Sequence, residues 1–270
     1  MWSALAFGQK PEYDFYADYR TFMSSLWVKN PSIASGEIHE AYAAKLKGEG
    51  IPAAEIARRL RLLTTEGPQL EADRWNRFYG DPKNNQEYNQ NPNASLMAFV
   101  AEKRPGVALD YAMGTGRNAL YLAKLGWDVY GFDQSDVAVA AAQKRALELG
   151  LKLHTAALPD SQYDFGKERF DLILFSWAMP LIDAKKVVDS LKPGGYVVME
   201  CAVDYVGRNG MLKKFDDLRI ERYEIVRAVA DWYGRQEIEV LHLVARKRKA
   251  CSHATEAAII KKRGGADERT

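Results

Sequence analysis

Two aspartates bracket a glycine turn. Asp110 lies four residues before Gly114, Gly116 follows at once, and Asp133 comes seventeen residues after that. VALDYA (107–112) reads as a buried strand, M-G-T-G as a tight turn, and RNALYLAKLG (117–126) as a helix closed by Gly126. WDVYGFD (127–133) is then a second strand that ends in Asp133. Such a turn presents backbone amides and the positive end of a helix dipole, and glycine lets a ligand approach closely. A carboxylate ending the second strand can accept both hydroxyls of a ribose. In open α/β sheets, ligands bind at the carboxyl ends of the strands, near the switch in strand order.

Two ligand classes compete for this geometry. Gly114-Thr115-Gly116-Arg117-Asn118-Ala119 fits G-x-G-x-x-G/A, the dinucleotide fingerprint, which would imply an NAD-dependent oxidoreductase. Against NAD stands Asp110, an acid that repels a pyrophosphate and welcomes a cationic amino group. No second mononucleotide-binding half follows, and the chain ends in strands too closely spaced for parallel pairing. The plainer role for Asp110 and Asp133 is turn capping.

The elements around this core follow from periodicity. An Ala-rich helix over 136–149 is stopped by Gly150, and LKLHTAA (151–157) and FDLILFS (170–176) are further strands. A helix over 184–191 leads through LKPGG into YVVMECA (196–202). This alternation predicts a doubly wound, mostly parallel sheet with helices on both faces. LRIERYEIVRAVA (218–230) and IEVLHLVARK (238–247) are separated by too few residues for a crossover helix, so they pair antiparallel and complete seven strands. Upstream, Phe15, Tyr19, Phe22 and Leu26 mark an aromatic-rich helix over 12–28, and a second covers 37–47. A third begins at Pro52, Gly67-Pro68 interrupts, and a fourth carries Leu70, Trp75, Phe78 and Tyr79.

The run ALDYAMGTGRNALYLAKLGWDVYGFDQS resembles the first cofactor motif of class I S-adenosylmethionine-dependent methyltransferases. It is most similar to the small-molecule branch that contains tellurite-resistance and thiol methyltransferases. FDLILFSWAMPLI and SLKPGGYVVME resemble that family's fourth and fifth strand regions, and WNRFY with NQNPNASL resembles the approach to its first motif. The resemblance spans roughly 70–247. It implies a Rossmann-like fold whose sheet ends in an antiparallel strand, with S-adenosylmethionine as cofactor. Asp110 would then orient the methionine amino group, Gly114 and Gly116 admit the cofactor, and Arg117 and Asn118 open the helix beside it. Asp133 would bind the ribose and Asp160 the adenine amine. Ser176 and Trp177 would line the methyl and substrate side. The family usually has glycine where this chain has Ala112, so an added methyl group crowds the cofactor. Ala112→Gly is therefore expected to tighten binding while loosening the strand end.

No acid–base pair stands out near the fourth and fifth strands, and no catalytic residue is assigned. That favours an intrinsically nucleophilic small-molecule acceptor, such as a thiol or a chalcogen oxyanion. A cofactor-binding protein without transferase activity is the alternative. Trp75 and Tyr79 share a helix face, and the polar 84–93 segment reads as a hinge that would let them cover the site as a lid.

Residues 1–92 are expected to form a helical cap, 93–247 the cofactor-binding domain and 248–270 a disordered tail. Residues 246–270 carry eight Lys/Arg against three Asp/Glu, a net of +5, so the formal +2 of the whole leaves the body at about −3. The body is thus no nucleic-acid surface by charge. His39, His154, His242 and His253 are scattered and suggest no metal site or triad. Cys201 and Cys251 fit free thiols in a reducing compartment. No apolar run approaches the ~18 residues of a membrane span. MWSALAFGQK lacks a basic leader, so the expected location is cytoplasmic, barring an upstream start that adds a signal peptide. Oligomeric state is not legible.

Overall fold

The structure is a computed structural model and describes residues 15–30, 33, 35–178, 184–232 and 237–249. Seven strands form one sheet: β1 Val107–Tyr111, β2 Asp128–Asp133, β3 His154–Ala157, β4 Phe170–Ser176, β5 Leu191–Ala202, β6 Arg219–Val229 and β7 Glu237–Arg246. Their order is β3-β2-β1-β4-β5-β7-β6, and only β7 runs against its neighbours. The order reverses between β1 and β4, which puts the glycine turn after β1 at the switch point. The parallel strands, the antiparallel final pair and the βαβ rhythm all agree with the sequence reading. β5 begins five residues earlier than expected because LKPGG is drawn into the ladder beside Phe170, with a register shift between Phe170 and Leu172.

Helices cover both faces because strand residues alternate. Ala108, Leu172, Leu174 and Val198 face one cluster with Leu96 and Leu122, contributed by α5 (Ala94–Val100) and α6 (Arg117–Lys124). Leu109, Phe175, Val197 and Leu243 face the other. There they share a continuous core with Phe15 and Tyr19 of α1 (Phe15–Lys29) and Tyr42 of α2 (Ser35–Gly48). Tyr42 is wholly buried and meets Tyr19 edge-on at 5.1 Å. The N-terminal helices therefore contribute to the sheet's own core. Residues 12–14 of the first expected helix lie outside the described residues.

One expectation fails. Gly67-Pro68 does not interrupt the chain: α3 runs unbroken from Ala53 to Gly80 with Pro68 inside it, a length of about 42 Å. Proline costs ~3 kcal/mol in a helix interior. Packing on both sides of it outweighs that cost, with Leu63 and Leu70 in the core shared with α1 and Phe78 and Tyr79 in a separate aromatic cluster against α7 (Asp136–Glu148). The 84–93 segment is likewise no free hinge. Pro82–Glu87 forms α4, started by Asp81, whose carboxylate accepts from the Lys83 amide, and Asn93 caps α5 by accepting from the Leu96 amide. No described helix is long and apolar enough to cross a membrane. Residues 250–270, most of the expected tail, lie outside the described residues.

Candidate active site

Asp110 lies within the buried run of β1 and is only 1% exposed. One carboxylate oxygen accepts from the Ala119 amide at 3.0 Å, which ties the strand to the first turn of α6. Burial pushes its carboxyl up to about 7, with the Arg117 charge pulling it back and Asp133 adding to the rise. Asp133 ends β2, equally enclosed. Its two oxygens accept from the Gly114 amide at 2.9 Å and the Ser135 amide at 2.8 Å. Burial raises it to about 6 against those amide bonds. Two buried carboxylates with raised pKa values, converging on one turn, suit a ligand that brings positive charge and donor hydroxyls.

The turn between them needs glycine. Gly114 and Gly116 have φ of +55° and +77°, the left-handed region that L side chains seldom adopt. A Cβ on Gly116 would lie 3.0 Å from that of Ala142, so its absence also lets α6 close on α7. Ala112 shares the strained conformation with φ +52° and lies just beyond β1. It therefore bears backbone strain as a bend rather than serving as the strand residue the sequence suggested. Trp177, at the end of β4, has φ +58°. Strain of this sort at two neighbouring strand ends persists where surrounding contacts hold it.

The side chains of Arg117 and Asn118 are engaged by the protein. Arg117 donates to Asp231 Oδ1 at 2.8 Å, to the Asn91 carbonyl at 3.0 Å and to Ser176 Oγ at 3.2 Å. Asn118 accepts from the Asn93 amide at 2.8 Å. Trp177 donates its indole N–H to Asp231 Oδ1 at 2.6 Å and to Glu200 Oε1 at 3.2 Å. Asp160 lies in a short 3-10 turn after β3 and accepts from the Tyr111 hydroxyl.

Trp75 and Tyr79 do share a face, with rings 5.9 Å apart, and Tyr79 comes to rest over the turn. A Cβ on Gly114 would lie 2.6 Å from the Tyr79 hydroxyl. Phe78, Tyr88 and Trp232 complete this aromatic group, and the Tyr88 and Thr115 hydroxyls meet at 2.5 Å. Asn89 donates to the Asp231 carbonyl, and its amide donates to the Trp232 carbonyl. A ligand lying on the turn must therefore touch or displace Tyr79. Two clefts of about 200 and 210 Å³ open elsewhere, beside Ser95 and His242 and beside Lys103 and Tyr196, and neither includes the glycine turn. The chemistry of the turn, and not cleft size, marks the site.

Several residues here escaped the sequence reading. Asp231 and Trp232 follow β6, Tyr88 lies in the supposed hinge, and Glu200 faces Ser176 across the β4–β5 ladder. The expectation that no acid–base pair lies near the fourth and fifth strands also fails, because β7 brings His242 Nδ1 within 3.2 Å of Glu200 Oε2. Ser95 contacts that same nitrogen at 2.7 Å. Both partners thus meet one ring nitrogen, so this is no relay through the imidazole.

Residues 108–195, from β1 into β5, match the family model described as a methyltransferase domain. This segment is a methyltransferase domain, and a domain of that kind implies S-adenosylmethionine as cofactor. No curated protein sequence matches the chain. Solved structures with a similar fold include TehB from Haemophilus influenzae, 23% identical, covering 58% of this chain and 62% of that one with a TM-score of 0.49. A SAM-dependent methyltransferase from Methanosarcina mazei is 16% identical over 58% of this chain and 99% of its own, TM-score 0.49. The N-methyltransferase NodS from Bradyrhizobium japonicum is 16% identical over 57% and 93%, TM-score 0.47.

The donor set fits this cofactor. Asp110, once ionised, would offer a buried negative charge to an ammonium group, Asp133 would offer lone pairs to ribose hydroxyls, and the glycines leave the backbone bare between them.

Proposed function

We propose that this protein transfers a methyl group from S-adenosylmethionine, held on the Asp110–Asn118 turn, to a small molecule with a soft nucleophilic atom, either a thiol or a chalcogen oxyanion. The observation that carries the reading is the convergence of buried Asp110 and Asp133 on a positive-φ glycine turn at the switch point. When bound, the cofactor supplies an electrophilic methyl on a sulfonium, displaced in line by the acceptor. The chain's own residues align and exclude water. Asp110 holds the ammonium, Asp133 the ribose and Asp160 the adenine side. Ser176 and Trp177 border the methyl. Trp75 and Tyr79 cap it, with residues 1–92 serving as the cap of a catalytic domain over 93–247.

The choice of acceptor rests on how fully the nearby bases are engaged. Asp231 is held by a guanidinium and an indole, and Glu200 by an indole and a serine hydroxyl. A thiolate or oxyanion needs no proton removed, whereas an ammonium or alcohol does. The test is S-adenosylhomocysteine formation by the full chain with thiols, selenite or tellurite, amines and alcohols, with products weighed by mass spectrometry. Turnover confined to amines or alcohols would replace this acceptor class.

A second reading, a cofactor-binding protein without turnover, draws on the Tyr79 hydroxyl over Gly114. Cofactor binding without S-adenosylhomocysteine formation for any acceptor would favour it.

A further inference from the structure

Arg117 places a buried positive charge at the start of α6, and the acceptors around it are nearly all neutral. The Asn91 carbonyl, the Asp231 carbonyl and Ser176 Oγ carry no formal charge. Among the described residues, the carboxylate of Asp231 is the anionic group that Arg117 contacts, at 2.8 Å through Oδ1 and 3.4 Å through Oδ2. The guanidinium is 6% exposed and the carboxylate 22%. The same carboxylate accepts from Trp177 Nε1 and, at 2.8 Å, from Asn93 Nδ2. One side chain after β6 thereby joins the end of β4 and the start of α6 to the start of α5.

Arg117 is also electrically coupled to the turn, since its charge acts on Asp110. S-adenosylmethionine carries a sulfonium and an ammonium, while its product keeps only the ammonium. An uncompensated guanidinium beside the turn repels the first more than the second, and inside a protein such a charge is weakly screened.

We infer that Asp231 is a charge-compensating positioning residue: by neutralising Arg117 it lets the site prefer the sulfonium cofactor over the thioether product. The inference rests on the proposed seat of the cofactor at the glycine turn. It gives Asp231 a part in turnover, because weaker retention of product frees the site for the next cofactor. Contacts common to both ligands cancel in the ratio of their affinities, so the ratio isolates the charge.

The experiment is calorimetric titration of the full chain and its variants with S-adenosylmethionine and, separately, S-adenosylhomocysteine. Asp231→Asn keeps the shape and part of the hydrogen bonding but removes the charge. It is expected to weaken S-adenosylmethionine about tenfold (~1.4 kcal/mol) and the product at least threefold less. Arg117→Met, in which no cation needs compensating, is expected to move the ratio toward S-adenosylmethionine. The double variant is expected to return it close to wild type. Equal loss of both ligands in Asp231→Asn, or no loss, would overturn the inference, since a purely structural clasp affects both alike. Should Asp231→Asn not fold, an unchanged ratio in Arg117→Met would overturn it. Failure of the cofactor seat is distinguishable, because wild type itself would then bind neither ligand or bind both equally well in Asp110→Asn.

Discussion

The Gly114 amide donates to Asp133 Oδ2 at 2.9 Å, so the glycine turn after β1 and the carboxylate ending β2 form one unit. The second oxygen secures the Ser135 amide at the start of α7. Asp133→Ala therefore removes a ribose acceptor and leaves two buried amides without their partner. Cofactor affinity is expected to fall at least tenfold, and stability by about 1–3 kcal/mol. Titration calorimetry and urea denaturation measure the two effects. Unchanged affinity with lowered stability would mean that Asp133 only caps the turn.

Ala112 sets a test of strain. With φ at +52°, glycine belongs there on conformational grounds, and the left-handed region costs an L residue about 1–2 kcal/mol. The melting temperature of Ala112→Gly is thus expected to rise by a few degrees, opposite to the loosening expected from the sequence alone. A fall would show that methyl packing outweighs the backbone strain.

Asp110 sets the pH dependence. Its folded pKa, raised by burial to about 7, lies above the unfolded carboxylate value. Between about pH 4 and pH 7 the native state binds the extra proton, so this group's contribution to free-protein stability falls as pH rises through that window. A cationic ligand needs the ionised form, so cofactor affinity is expected to climb between pH 6 and pH 8. In Asp110→Asn both trends should flatten. A wild-type affinity independent of pH would remove Asp110 from the ammonium's seat.

Tyr79 and Gly114 couple across the cap. Gly114→Ala adds a methyl 2.6 Å from the Tyr79 hydroxyl at a positive φ, and is expected to cost several kcal/mol. Tyr79→Phe removes the opposing oxygen and should recover part of that loss in the double variant. Additive effects in the thermal-melting cycle would show that the two do not touch.

Much of the sheet was legible because apolar periodicity and glycine stops are local signals. Gly126 and Gly150 end α6 and α7 where the sequence indicated, with φ of +86° and +64°. Asp110, Asp133 and the glycines were legible because one βαβ unit carries them all. The continuity of α3 was not, since a Gly-Pro pair signals a break locally and only distant packing overrides it. Asp231 and Arg117 lie 114 residues apart in sequence, and Glu200 meets His242 only through the β5–β7 register. Long-range pairings leave no periodic trace, so the charged network around the strand ends emerged only from the fold.

The most direct test of the central claim is calorimetric titration of the full chain with S-adenosylmethionine and with NAD, in wild type and in Asp110→Asn. Saturable heat is expected with S-adenosylmethionine alone, weakened at least tenfold in the variant. Heat with NAD alone, or S-adenosylmethionine binding unaltered by Asp110→Asn, would contradict the account.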